Sequence, residues 1–102
     1  MRLTKKMNES QIKALDIKIS LEVDNETSIK RIPSTVQTYK DLHVQCRQLI
    51  DKRTTPKVTN FNVVYFDQEN ERIKVEDDSD LQLAYALALS LEGRIKFHIE
   101  IG

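Results

Sequence analysis

Residues 65–81 read YFDQENERIKVEDDSDL, and this stretch decides how the chain is expected to fold. An apolar run gives way to a polar segment, after which Ile73 and Val75 alternate with charged residues. Alternation with a period of two is typical of a strand, and Asn70 tolerates the left-handed backbone of a tight turn. Acidic residues then accumulate before Leu81, where the positive end of a helix favours them. The stretch predicts a strand, a turn, a second strand and the start of a helix.

The acidic residues of this stretch are unusually dense. Asp67, Glu69 and Glu71 occupy every second position across the predicted turn, and Asp78 and Asp80 continue the negative charge into the predicted helix. Like charges held this close cost stability unless a cation offsets them. Two interpretations are open from the spacing alone: a solvated hairpin turn, or an anionic surface that meets a cationic partner.

Composition limits the classes of partner. The chain has 102 residues, 16 of them basic and 16 acidic, which suits a single domain with one core and no overall charge. No global field draws it to nucleic acid, and no apolar run approaches the roughly 20 residues that cross a bilayer. We therefore expect neither nucleic-acid binding nor direct membrane insertion. Charge that is segregated locally favours oriented contacts with another protein.

Catalytic, metal and cofactor chemistry has little support in the sequence. The lone Cys46 cannot form an internal disulfide and fits a reducing, cytoplasmic compartment, and with His43 and His98 it falls short of a structural zinc set. Two glycines in the whole chain leave no phosphate-binding loop, and no nucleophile elbow is present. The clustered carboxylates lack the ligand spacing of an EF-hand. We expect no enzyme activity, no cofactor and no dedicated metal site.

The N-terminal residues differ from the rest. Residues 1–10 contain basic side chains but no apolar segment after them, so they do not resemble a secretory signal. We expect residues 1–13 to form a flexible arm and residues 14–102 to form the folded domain.

The N-terminal half predicts a hairpin and a helix. Residues 15–23 alternate strictly between apolar and polar side chains, residues 24–26 suit a turn, and residues 27–32 suit a returning strand that Pro33 ends. Thr38 can cap a helix that ends near Lys52 and Arg53. Its apolar stripe comprises Leu42, Cys46, Leu49 and Ile50, which makes Cys46 a core residue.

The C-terminal half predicts the remaining elements. Residues 61–66 are apolar on both faces and suit a central strand. Asp78 or Ser79 can cap a second helix over residues 81–92, with Gly93 at its C′ position, and residues 95–101 alternate as a last strand. The order ββαββαβ predicts an α+β domain in which two helices cover a sheet of about five strands.

The acidic stretch resembles the signature of the Phox/Bem-type (PB1) interaction domains. That signature combines an aromatic residue, acids at alternating positions, a strand and an acid-rich helix start. The matching residues are Tyr65, Asp67, Glu69, Glu71, Ile73, Val75, Asp78, Asp80 and Leu81. Two positions depart from it: Gln68 stands where an acid is common, and Asn70 stands where Gly is usual.

The same family carries a basic surface made of a lysine on the first strand and a basic pair on the second. Lys18 matches the first, and Lys30 with Arg31 matches the second. The resemblance covers roughly residues 14–102 and implies a ubiquitin-like β-grasp fold. It also implies a module that pairs head to tail, through a basic face (Lys18, Lys30, Arg31) and an acidic face (Asp67, Glu69, Glu71, Asp78, Asp80). Its expected partner is another copy of the chain or another PB1-type domain.

An alternative function comes from the second predicted helix. Leu83, Ala86, Leu87 and Ser90 fit the L-x-x-A-L-x-x-S core of a ubiquitin-interacting motif, with acids upstream. Such motifs act as exposed helices, whereas we expect the apolar side of this helix to cover the sheet. On that expectation, packing and ubiquitin binding compete for one face.

Overall fold

The computed structural model describes residues 15–54 and 58–101. The predicted arm at residues 1–13 lies outside the described residues. Five strands and two helices are formed by the described part of the chain, in the order β1 (Asp16–Val23), β2 (Glu26–Ile32), α1 (Tyr39–Arg53), β3 (Phe61–Phe66), β4 (Arg72–Val75), α2 (Asp78–Ser90) and β5 (Arg94–Ile101). The predicted order of elements is confirmed.

The strands form one mixed sheet in the order β2-β1-β5-β3-β4. The last strand lies in the centre, parallel to β1 and antiparallel to β3, while the two hairpins β1–β2 and β3–β4 flank it. This arrangement confirms the predicted α+β β-grasp fold. It also makes β2 and β4 the outer strands of the sheet.

Both helices pack on one face of the sheet, which we call the helix face, and the opposite face is called the open face. The core lies between helices and sheet because the strand residues that face inward alternate with polar residues that face outward. Cys46 is fully buried there, as predicted, and burial raises the pKa of its thiol to about 12. The largest fully buried core side chains are Tyr85, Phe97, Ile17, Ile19, Leu21, Leu42, Ile50 and Leu81.

Helix α1 begins as the sequence predicts. The Oγ1 atom of Thr38 accepts a hydrogen bond from the backbone N–H of Asp41 at 3.1 Å, which satisfies one of the unpaired donors of the first turn. Lys52 and Arg53 lie in the last turn, where the negative end of the helix dipole favours cations.

Helix α2 differs from the prediction at both ends. Its N-cap is Asp77, so the assignment of the cap to Asp78 or Ser79 is wrong by one or two positions. The helix ends at Ser90, and Glu92 occupies the left-handed C′ position with φ of 69°. Gly93 is the C″ residue, whose N–H donates to the carbonyl of Ala88 at 2.8 Å as in a Schellman motif.

The buried face of α2 corrects a second expectation. Leu81, Ala84, Tyr85 and Ala88 pack against the sheet. The residues that match the ubiquitin-interacting pattern lie elsewhere: Leu83 is 59% exposed, Ala86 and Ser90 are exposed, and Leu87 is partly buried. The expectation that one face must serve both purposes is therefore wrong. It failed because Leu or Ala occupies seven of the nine positions from 81 to 89, so that the apolar period does not single out one face.

A salt bridge protects the apolar centre of the open face. Val64 points to that face yet is fully buried. Arg72 and Glu100 are paired in register with β3 residues on either side of Val64, so their side chains meet across it, and Arg72 Nε donates to Glu100 Oε2 at 2.9 Å. The hydrogen bond with Arg72 lowers the pKa of Glu100, and the same bond raises the pKa of Arg72.

Neither helix of the described residues combines the length and apolar character needed to cross a membrane.

Candidate protein-binding surfaces

The turn between β3 and β4 is organised by one of its own acids. Oδ1 of Asp67 accepts hydrogen bonds from the backbone N–H groups of Glu69 and Glu71, both at 2.9 Å. Asn70 adopts φ of 61°, the left-handed conformation for which glycine is the usual residue and asparagine the next best. Glu69 and Glu71 are exposed, and within the described residues their carboxylates accept no hydrogen bond. The turn thus holds two free carboxylates with a third that supports the backbone.

The start of α2 holds a second group of acids. Asp77 accepts from the N–H of Asp80, and Asp80 accepts from the N–H of Glu76, each at 2.9 Å, so both side chains satisfy backbone donors at the start of the helix. Oδ1 of Asp78 accepts from the N–H of Tyr39 at 2.7 Å and so links the starts of the two helices. These bonds engage one oxygen of each aspartate and leave the other oxygen available to a cation.

Tyr65 connects the two acidic groups. Burial raises the pKa of its hydroxyl, and the charges of Asp80 and Asp67 raise it further. Both carboxylates therefore act on the same hydroxyl, one from the helix start and one from the turn. We define the acidic surface as Asp67, Glu69, Glu71, Glu76, Asp77, Asp78 and Asp80. The predicted acidic residues all belong to it, while Glu76 and Asp77 are additions.

Three cations form a row on the open face. Lys18 of β1 is the register partner of Arg31 on β2 and of Lys96 on β5, so all three side chains leave the sheet on the same side. Like charges placed directly opposite each other on neighbouring strands destabilise the pairing. We call Lys18, Arg31 and Lys96 the basic row.

One carboxylate lies beside the basic row. Asp16 Oδ1 is 3.0 Å from Nε of Arg31, although the two groups are not aligned as a hydrogen bond. Arg31 keeps 70% of its side chain exposed, so the contact leaves much of the guanidinium accessible. Arg94, the register partner of Asp16, adds a further cation at this end of the sheet. A shallow cleft of about 180 Å³ lies there between β1 and β5.

The third predicted basic residue points the other way. Successive side chains of a strand point to opposite faces, and Arg31 points to the open face, so Lys30 points to the helix face. There its Nζ lies 3.4 Å from Oε1 of Gln45. The predicted basic residues are therefore divided between the two sides of β2. Arg31 and Lys18 share the open face, and Lys30 faces α1.

The two charged surfaces are built on different parts of the sheet. The basic row spans β2, β1 and β5, and the acidic surface surrounds the β3–β4 hairpin and the helix that follows it. Within the described residues, none of the three cations of the basic row forms an ion pair with the acidic surface; Lys74 of β4 contacts Glu76 at 3.5 Å. Among residues 15–54 and 58–101, no group of three or more metal-ligating side chains is placed to hold a metal ion.

The chain is similar to known proteins in structure. No family model and no curated protein matches the sequence. Similar solved structures include the solution structure of the PB1 domain of Cdc24p (long form), with a TM-score of 0.61 and 14% identity over 90% of this chain and 99% of that one. The fold is shared with PB1 domains.

Two further PB1 structures support this assignment of the fold. The AtNBR1-PB1 domain has a TM-score of 0.57 and 13% identity, covering 87% of this chain and 100% of that one. The AtNBR1-PB1 filament (L-type), determined by cryo-electron microscopy, has a TM-score of 0.56 and 14% identity with the same coverage. At such low identity the likeness to PB1 domains concerns the fold.

Proposed function

We propose that the chain is a protein–protein interaction module that pairs head to tail, with the basic face of one molecule against the acidic surface of the next. The observation that carries the proposal is a row of three like charges on the face of β2, β1 and β5, together with seven carboxylates in the β3–β4 turn and around the start of α2. The PB1 fold and the match of Tyr65 and Asp67 to the PB1 signature add to it. One similar structure is that of a PB1 filament, which agrees with a module of this kind.

The contact that we propose is heterologous, because it joins two different surfaces. Repetition of such a contact builds a ring when the rotation closes and a filament when it does not. A single exposed ion pair contributes only about 0–1 kcal/mol, whereas a network of several cations and carboxylates contributes more and sets specificity and encounter rate. The partner is another copy of the chain or another PB1-type domain in a scaffold or signalling protein.

A narrower resemblance suggests a cellular setting. The strings Ile29–Pro33, Thr38–Leu42 and Asp78–Leu81 resemble the N-terminal domain of the TRK-fused protein. That relative acts as an oligomerising scaffold at endoplasmic reticulum exit sites. By this resemblance we propose a cytoplasmic scaffold role at the same sites.

Light scattering over a range of concentration and salt tests the proposal. The mean mass should grow with concentration at low salt, and it should fall toward that of the monomer as the Debye length shrinks from about 10 Å at 0.1 M salt to about 3 Å at 1 M. A chain that stays monomeric at low salt and high micromolar concentration contradicts homotypic pairing.

Ubiquitin binding through α2 is a second candidate function, and one observation favours it. The residues that match the ubiquitin-interacting pattern are not used in the core, since Leu83 is 59% exposed and Ala86 is exposed. Titration of the intact chain with ubiquitin, followed by NMR, tests the candidate. Binding that is lost in Ala86→Glu and kept in the control Gln82→Glu supports it. The absence of shifts at about 1 mM ubiquitin rejects it.

A further inference from the structure

A concave site lies on the helix face, beside the outer strand β2. It is a cleft of about 480 Å³ between β2 and the C-terminal end of α1. Apolar groups form part of its wall, and three of its side chains are cationic. The lining residues are Ser28, Ile29, Lys30, Leu49, Lys52 and Arg53.

The cations of this cleft come from two elements that are distant in sequence. Lys52 and Arg53 belong to the last turn of α1, and Lys30 belongs to β2. Among the described residues none of the three forms an ion pair, whereas Arg47 of the same helix pairs with Asp51 at 3.7 Å. The helix dipole accounts for cations at the end of α1. It does not account for a third cation that a neighbouring strand brings to the same cleft.

We propose that this cleft is the second half of the basic surface and receives the carboxylates of Glu76, Asp77 and Asp78 from a second copy of the chain. The inference rests on the head-to-tail pairing proposed above and names a contact within it. Lys30 and Arg31 leave β2 on opposite sides, so the cations surround this outer strand. A partner that engages both sides holds the strand between two groups of ion pairs.

The acidic surface also has two parts, one in the turn and one at the start of α2. The two free carboxylates of the turn suit the flat basic row on the open face. The start of α2 presents three consecutive exposed acids at residues 76–78, and the bonds made by Asp77 and Asp78 within the chain use one oxygen of each. Glu76 contacts Lys74 at 3.5 Å through Oε2 and keeps its other oxygen free. Three carboxylates with free oxygens therefore suit three cations, and the complementary charges would set the orientation of the contact.

Two variants that each keep one working surface provide the test. The basic-competent variant carries Glu69→Lys with Glu71→Lys and retains its basic surface. The acid-competent variant carries Lys18→Glu and retains its acidic surface. Calorimetry measures the Kd of the pair that the two variants form, which cannot extend into longer assemblies. Neutralising the cleft of the basic-competent variant by Lys52→Gln with Arg53→Gln should raise the Kd by about 5- to 30-fold.

The same two cleft substitutions in the acid-competent variant are the matched control, because the cleft of that variant makes no contact in this pair. They should change the Kd by less than about twofold. A charge exchange identifies the occupant: Lys52→Glu in the basic-competent variant should be rescued by Glu76→Lys in the acid-competent variant. A lysine placed in the turn of the acid-competent variant, Gln68→Lys, should not rescue it.

Three results overturn the inference, and they differ from one another. An unchanged Kd after neutralising the cleft of the basic-competent variant, while Lys18→Glu in that same variant abolishes pairing, removes the cleft and leaves the proposed function intact. Rescue of Lys52→Glu by Gln68→Lys assigns the cleft to the turn and rejects the proposed occupant. Failure of the two folded variants to pair at all overturns homotypic pairing together with the inference.

Discussion

Replacement of Asp67 by alanine should destabilise the chain more than replacement of any free acid in the same turn. Asp67 Oδ1 is the acceptor for two backbone N–H groups at 2.9 Å, and these donors resemble the unpaired donors at the start of a helix. Loss of a capping acceptor costs about 0.5–2 kcal/mol. Two donors share this one acceptor, so we expect Asp67→Ala to lower the free energy of unfolding by about 1–2 kcal/mol. That change corresponds to a fall in Tm of about 5–10 °C.

Two comparison variants separate the hydrogen bonds of Asp67 from its charge. Asp67→Asn keeps the Oδ1 acceptor and removes the charge, and Glu69→Ala removes a charge that accepts no hydrogen bond among the described residues. Each should change the free energy of unfolding by less than about 0.5 kcal/mol. Urea unfolding at low protein concentration and about 1 M salt keeps the chains monomeric and makes the comparison one of folding alone.

The reasoning is refuted if Asp67→Ala and Glu69→Ala unfold at the same urea concentration. If Asp67→Asn is as unstable as Asp67→Ala, the effect comes from the charge of Asp67, and this result also contradicts the reasoning. If the prediction holds, a substitution of Asp67 lowers the stability of the fold, so a loss of binding in that variant cannot be assigned to the acidic surface. Glu69 and Glu71 are then the proper positions at which to test the acidic surface.

Three further predictions concern single positions. Glu92→Gly should raise the free energy of unfolding by about 0.5–1 kcal/mol in urea melts, because Glu92 holds φ of 69° and only glycine adopts it without strain; an unchanged or lower value contradicts this. Tyr85→Phe should lower it by about 1–3 kcal/mol, because the hydroxyl donates at 2.6 Å to the buried carbonyl of Val36; a change below about 0.5 kcal/mol contradicts this. Cys46 should resist a thiol reagent at about pH 8 until the chain unfolds, because burial raises its pKa to about 12 and little thiolate forms; labelling at the rate of a free thiol contradicts this.

Much of the fold was predictable from local patterns. The alternation of β1 and the cap at Thr38 are properties of short segments, and the structure confirms them. The two-residue turn at Asp24 and Asn25, both with positive φ, also depends on its own residues, because Asp and Asn tolerate this conformation.

The ends and faces of α2 were harder to predict, for a physical reason. Asp77, Asp78 and Ser79 are all good N-cap residues, and propensity does not choose between them. The hydrogen bonds that Asp77 and Asp80 accept decide the cap, and they depend on how the preceding strand enters the helix. The face of the helix that packs is decided by the sheet beneath it.

The extent of the basic row depends on contacts between distant segments. Lys18 and Lys96 are brought together by parallel pairing of the first and last strands, a register that no local pattern contains. Alternation indicated that Lys96 points outward, yet it did not indicate which strand lies next to it. The opposite directions of Lys30 and Arg31 follow from the period of two.

Mixing two complementary variants tests the central claim most directly. Lys18→Glu should remove the basic face and Glu69→Lys with Glu71→Lys the acidic one, so each variant alone should be close to monomeric by light scattering. Mixed in equal amounts they should form a dimer that does not grow with concentration, because each molecule offers one working surface. A Lys40→Glu control, which changes the same charge at the exposed start of α1, should assemble like the unmodified chain. Variants that are folded but keep the mass of the unmodified chain, or that fail to form the mixed dimer, contradict pairing through these two surfaces.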